Sequence, residues 1–100
     1  MNESDNIGHF HNLLAQRGEL YQIKRDGCVS THQGLKNHDT EGGFYIGFLP
    51  EVAIMPNDEL KGVVSQHVYR VIEVKSEALE GIPYQTKAYY KKQGIDQRGD

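Results

Sequence analysis

The chain is expected to fold as a compact all-β barrel or curled sheet of five or six short strands, with one short helix at the N-terminus. Three observations carry this expectation. Two dense β-branched and aromatic segments, residues 44–49 and 68–74, stand at the centre of the chain. An Asp26-Gly27 pair divides two alternating segments, as a two-residue hairpin with φ > 0 at both central positions requires. Turn residues then recur at short, regular spacing through the remainder.

Residues 4–17 read as the helix. Ser4 suits its N-cap and Asp5 its electropositive first turn. Ile7, Phe10, Leu13 and Leu14 recur at three- and four-residue spacing on one face, and Gly18 is the stop. A helix this short, with Gly8 inside it, is marginal alone. Its apolar face is therefore expected to dock on the protein's own sheet or on a neighbouring subunit.

Residues 20–25 alternate, with Tyr21 and Ile23 on one side and Leu20, Gln22 and Lys24 on the other. After the Asp26-Gly27 turn a return strand starts at Cys28 and is expected to reach about Leu35. Residues 36–43 hold no apolar side chain and end in Gly42-Gly43, so they read as a mobile loop. Such loops on a rigid β scaffold carry contacts. Lys36, Asn37, His38, Asp39 and Glu41 are accordingly candidate partner-binding residues.

In the strand 44–49, Gly47 suggests a bulge or a close backbone approach, and Pro50 ends the strand. Pro56, with its fixed φ, and Asn57 and Asp58, which tolerate turn geometry, make a corner across which the two central strands are expected to meet. Gly62 and Ser65 suggest a further turn. In the strand 67–75, Val68, Arg70, Ile72 and Val74 face one way, and Tyr69, Val71 and Glu73 the other; two partly apolar faces argue for a central position. Residues 76–81 read as a polar connector, whose Glu77, Leu79 and Glu80 are further candidates for partner contact. The last strand is expected over 82–90, with Pro83 tolerated near its start. One domain, 1–92, and a flexible tail, 93–100, follow.

The totals limit the function classes. One hundred residues suit one domain with a single core. Eleven Lys and Arg against 14 Asp and Glu give a net charge of −3, which argues against general nucleic-acid binding. A lone Cys28 excludes an intramolecular disulfide and suits a reducing compartment. The first ten residues lack a basic and an apolar region, so no signal peptide is expected. No apolar run approaches the roughly 20 residues of a spanning helix, and a soluble, intracellular chain is the expectation.

No convergent chemistry emerges from the motifs. His9 and His11 are two residues apart on a helix and diverge, and His32, His38 and His67 are scattered, so no metal site or other cofactor is expected. Cys28 has no helix N-terminus or basic cluster to activate it and reads as a small strand residue. The glycines form no phosphate loop. Tyr69, Tyr84, Tyr89 and Tyr90, with Lys87, Lys91 and Lys92, could stack single-stranded bases. In an acidic chain they more readily fill a core while their hydroxyls reach water. Nucleophile, base and orienter cannot be assembled, so no enzyme is expected. The closing Arg98-Gly99-Asp100 is read as a chance tripeptide.

The order of features resembles small head-completion and head–tail joining proteins of tailed bacteriophages and prophages. A short amphipathic helix precedes the strand GELYQIKRDG, a polar loop, then YIGFLPEVAIMPNDEL and the pair HVYRVIEV and YQTKAYY. Ile54-Met55-Pro56-Asn57-Asp58 occupies the corner, with Asn57 where the family pattern prefers glycine, and residues 69–74 match the strand after it. The resemblance spans about residues 10–92. It implies an SH3-like or related barrel that forms a homo-oligomeric ring with portal, adaptor or tail proteins, in the virion or in the host cytoplasm during assembly. It implies neither catalysis nor membrane association, with the loop 36–43 and the connector 76–81 docking and the helix or tail packing on a neighbour. The alternative is a small β-barrel module that binds a host protein or peptide.

Overall fold

The computed structural model describes residues 3–40 and 43–95. The elements are α1 (Glu3–Arg17), β1 (Glu19–Arg25), β2 (Cys28–Asp39), β3 (Gly43–Phe48), β4 (Glu59–Gly62), β5 (His67–Leu79) and β6 (Ile82–Ile95). The six strands close into an antiparallel barrel in the order β1-β2-β3-β6-β5-β4, with β4 returning to β1. The expected mainly β barrel with a short N-terminal helix is the fold.

Local turn chemistry produces the hairpins. Asp26 and Gly27 take φ of 50° and 82°, and Arg25 pairs with Cys28 across them. At the Pro56 corner, Asp58 N–H donates to the Met55 carbonyl at 3.1 Å and Asn57 takes φ 76°. This is a turn with proline at its second position and φ > 0 at its third, the geometry of type II. The corner leads into β4, however, and does not join the two central strands. β3 and β5 both pair with β6, which lies between them.

Alternation places Tyr21, Ile23, Ile46, Phe48, Leu60, Tyr69, Val71 and Ala88 inside the barrel, where Val52 and Ile54 join them. Gly34 faces this interior. A Cβ there would meet Ile46 Cγ2 at 2.6 Å and Phe48 Cε1 at 2.8 Å, so glycine lets the Phe48 ring fill the space. Tyr21 meets Phe48 and Tyr69 edge to face, with centroids 6.0 and 6.3 Å apart. Among the described residues the hydroxyls of Tyr21 and Tyr69 are buried with no hydrogen-bond partner, so the expectation that tyrosine hydroxyls reach water fails for Tyr69.

The helix lies on the protein's own sheet. Phe10 and Leu14 are buried against Leu35, and Leu13, Leu49 and Tyr84 pack around them. The docking face read from Phe10, Leu13 and Leu14 is thus covered within the chain; the Ile7 side chain lies outside the described residues. The helix includes Glu3, so Ser4 stands inside it rather than at its cap, and Gly18 N–H closes its last turn on the Leu14 carbonyl at 2.9 Å. Gly47 makes the close approach expected of it: a Cβ there would run into the Gln85 amide and lie 3.3 Å from Phe10 Cε1.

Three expected boundaries are corrected. Lys36 to Asp39 are not loop but the end of β2, paired with Ile46 to Gly43. The connector 76–81 is instead the end of β5 and a Glu80-Gly81 turn, with Ser76 to Leu79 paired to Thr86 to Ile82. Gln93 to Ile95 are not tail but the end of β6, with Ile95 opposite His67. Main-chain pairing needs no apolar side chain, which is why polar sequence hid all three. Residues 96–100 lie outside the described residues. A fourth difference lies within β5: Ile72 is an extra residue between the Val71–Tyr90 and Glu73–Tyr89 pairs. Ile72 stays on the outward side opposite Val71, Glu73 follows it to that side, and Val74 returns to the core side.

β3 pairs with β6 only from Tyr45–Tyr89 to Phe48–Thr86. Beyond Thr86 the β5–β6 ribbon therefore leaves the barrel as a two-stranded arm. The molecule measures 50 × 26 × 25 Å.

Candidate functional site: two braced hairpins

The two segments expected to carry partner contacts, far apart in sequence, are brought together on the outer face of the sheet. Lys87 on β6 is the link. Its Nζ lies 2.7 Å from Glu77 Oε1 on β5 and 3.5 Å from Asp39 Oδ2 at the end of β2. The same ammonium stands 4.7 Å from the Tyr45 ring centroid. Tyr89 donates its hydroxyl proton to Asp39 Oδ2 at 2.6 Å, and the Tyr45 and Tyr89 rings lie 5.5 Å apart. Lys75 Nζ stands over the Tyr89 ring, 5.4 Å from its centroid.

The electrostatics follow from this packing. Burial would lower the Lys87 pKa, but the Glu77 hydrogen bond and surrounding oxygens outweigh it and raise the value above the ordinary lysine range. The Tyr89 phenol is pushed up to about 12 by burial and by its bond to Asp39, against the opposing charge of Lys87. A lysine held charged and a phenol held neutral do no proton transfer near neutral pH. What they do is brace: the Lys87 side chain is only 13% exposed, and it ties the β2–β3 hairpin to the root of the arm.

The remaining candidates sit around this brace. His38 stacks at 5.7 Å on the exposed Phe44 ring, and its N–H donates to Asn37 Oδ1. Lys36 reaches the Tyr69 ring at 5.0 Å. Leu79 is half-buried and Glu80 exposed in the arm's turn, with φ 52°. Glu41 lies outside the described residues.

A second constellation was not found by sequence reasoning. Arg25 Nε and Nη2 donate to Asp58 Oδ1 and Oδ2, both at 2.7 Å, and the Met55 N–H adds a 2.9 Å bond to Oδ2. Asp58 is 2% exposed. Burial would raise its pKa, but the two Arg25 bonds, the Met55 N–H and the Arg25 charge hold the carboxyl below the ordinary carboxylate range. The pair lines an open cleft of about 470 Å³ with Lys24, Asn57 and Arg70. Arg25 and Asp58 are 33 residues apart, and only the closure of β4 on β1 joins them. An aspartate at the end of a proline turn signals the turn and says nothing of its distant partner.

Elsewhere, Phe10 points inward while His9 and His11 point to solvent. Among the described residues no group of three or more His, Cys, Asp and Glu side chains could hold a metal ion. Cys28 is exposed beside the Asp26-Gly27 turn. Tyr69 and Tyr89 are buried, and with them half of the possible base-stacking set is withdrawn from the surface. No helix among the described residues is long and apolar enough to cross a membrane. No protein-family model, curated protein or solved structure gives a significant match to this chain.

Proposed function

We propose that this protein is a structural assembly component of a phage or prophage neck, acting in head completion or head–tail joining without catalysis. In this reading it builds a homo-oligomeric ring with portal, adaptor or tail proteins, in the virion or in the host cytoplasm during assembly. The observation that carries the proposal is the braced pair of hairpins: a closed barrel carries an arm and a second hairpin that Lys87 links through Glu77 and Asp39, and both present side chains outward. Such geometry suits a part that docks by shape between larger rings, and it spends its charged residues on positioning. The acidic balance of the chain suits a channel through which DNA passes without adhering.

The test is co-purification with portal, adaptor and tail proteins encoded beside it, followed by native mass spectrometry. A stoichiometric ring-shaped complex supports the proposal. A chain that binds none of these components overturns it.

A second reading, a barrel module that binds a host protein or peptide, has one observation in its favour. Leu20, Val63 and Val64 are exposed together near one end of the barrel, joined by a 2.9 Å bond from Val63 N–H to the Leu20 carbonyl. Recovery of a single host protein by wild-type chain, and its loss with Val64→Asp, would favour that reading.

A further inference from the structure

The outer edge of β5 is open. β4 covers β5 only from Val68 to Arg70, and Asn57 and Asp58 extend the cover by exchanging main-chain bonds with Val71 at 2.7 and 2.9 Å. From Glu73 to Leu79 the edge pairs with no other strand among the described residues. Over this stretch β5 itself is regular, since the extra residue of the adjacent bulge, Tyr84, belongs to β6. An open regular edge is a template for another strand.

We propose that the occupant is the same edge of a second copy of this chain, paired antiparallel about a two-fold axis at Ser76. The sequence is self-complementary in that register. Lys75 lies opposite the partner's Glu77, and by symmetry Glu77 opposite the partner's Lys75, so two ion pairs form on the outer face. Val74 lies opposite the partner's Ala78 on the other face. Shifting the register by two residues, to centre on Lys75 or Glu77, sets Lys75 opposite Lys75 or Glu77 opposite Glu77; shifting it by four, to centre on Val74 or Ala78, sets Lys75 opposite Glu73 or Glu77 opposite Leu79 and leaves part of the free edge unused. Centring on Ser76 uses the whole edge, since Ser76 is the midpoint between Glu73 and Leu79. The same register carries the partner's Glu80 opposite Ile72, two residues from the exposed guanidinium of Arg70 at the end of the β4 cover. The pairing concerns the free protein and stands independently of the neck assignment.

The experiment places a cysteine on the axis. In a Cys28→Ser background, Ser76→Cys brings two thiols across a directly opposed pair, whose Cα separation of about 4.5–5.5 Å permits a disulfide. Mild oxidation of the purified chain is expected to yield a covalent dimer, and Ser30→Cys on the exposed part of β2 is expected to yield none. Lys75→Glu sets like charges opposite each other twice and is expected to weaken dimerisation about tenfold by analytical ultracentrifugation. Glu77→Lys is expected to do the same, and an equimolar mixture of the two single variants restores the dimer, because each mixed pair is again of opposite sign. Absence of the Ser76→Cys cross-link in a folded chain that sediments as a monomer overturns the proposal and leaves the edge to a strand of another protein. A dimer insensitive to Lys75→Glu overturns it equally.

Discussion

The barrel and the arm are built on different principles. In the barrel, large side chains alternate inward: Tyr21, Phe48, Tyr69 and Val71 interlock, and a glycine at position 34 is needed to admit them. In the arm, main-chain pairing continues β5 and β6 past the last contact with β3, Tyr84 and Gln85 pack at its root against the helix cluster and Gly47, and Lys87 links it to the β2–β3 hairpin. The two ion-pair clusters reflect this division. Asp58 is buried and satisfied on both oxygens, so it holds a corner of the fold. Glu77 keeps 40% of its side chain exposed, so its pair with Lys87 orients the arm more than it stabilises the domain. Substitutions in the barrel should therefore move stability, and substitutions in the arm should move binding.

The sharpest way to break this distinction is a matched truncation. Phe48→Ala empties a fully buried site and is expected to cost about 3–5 kcal/mol in urea unfolding. Ile82→Ala, on the exposed arm, is expected to stay within about 0.5 kcal/mol. Similar costs at the two sites would contradict the division.

Next in size is Asp58→Asn, expected to cost about 2 kcal/mol at neutral pH through loss of charged hydrogen bonds to Arg25. Because the folded-state pKa of Asp58 lies below its unfolded value, its contribution is complete above the ordinary carboxylate range and disappears as pH falls through the lower folded value. Melting curves of the two proteins should therefore converge in strong acid and separate as pH rises. A gap that does not change with pH would show that Asp58 acts by shape alone.

Smaller still is Lys87→Met, expected to cost about 1 kcal/mol at most. The folded pKa of Lys87 is raised, so its contribution is complete below the ordinary lysine range and lost as pH rises through the folded value. The informative readout is hydrogen exchange: β6 amides in the arm should exchange faster while those of β3 in the barrel keep their protection. Uniform acceleration would make Lys87 a stability residue. Smallest for stability is the tip pair Leu79→Ser with Glu80→Ser, expected within about 0.5 kcal/mol of wild type while weakening binding to neck components.

What was legible in the sequence was local. Asp26-Gly27 and Pro56-Asn57 carry their backbone geometry in their own chemistry, and Tyr21 with Ile23 or Tyr69 with Val71 show their face by alternation. Non-local facts were hidden. Nothing near Asp58 indicates Arg25, and nothing in residues 36–39 or 76–79 indicates strand, because a ribbon that buries neither face leaves no apolar pattern. The bulge at Ile72 also reverses the alternation that reads straight through it, so Glu73 is exposed and Val74 packs on the core. The candidate contact residues were individually visible as polar segments. Their meeting through Lys87 was not, since Asp39 and Lys87 are 48 residues apart.

The most direct test shortens the arm and leaves the barrel intact. Replacing residues 79–82 by Asn-Gly together with Pro83→Thr, which restores the main-chain N–H that a two-residue turn needs to close on the Ala78 carbonyl, shortens the arm and keeps Glu77, Tyr84 and Lys87. Thermal unfolding of this chain is expected within about 4 °C of wild type, with binding to portal, adaptor or tail proteins lost. A chain that unfolds far below wild type, or one that still binds these proteins undiminished, would contradict the assignment of scaffold to the barrel and contact to the arm.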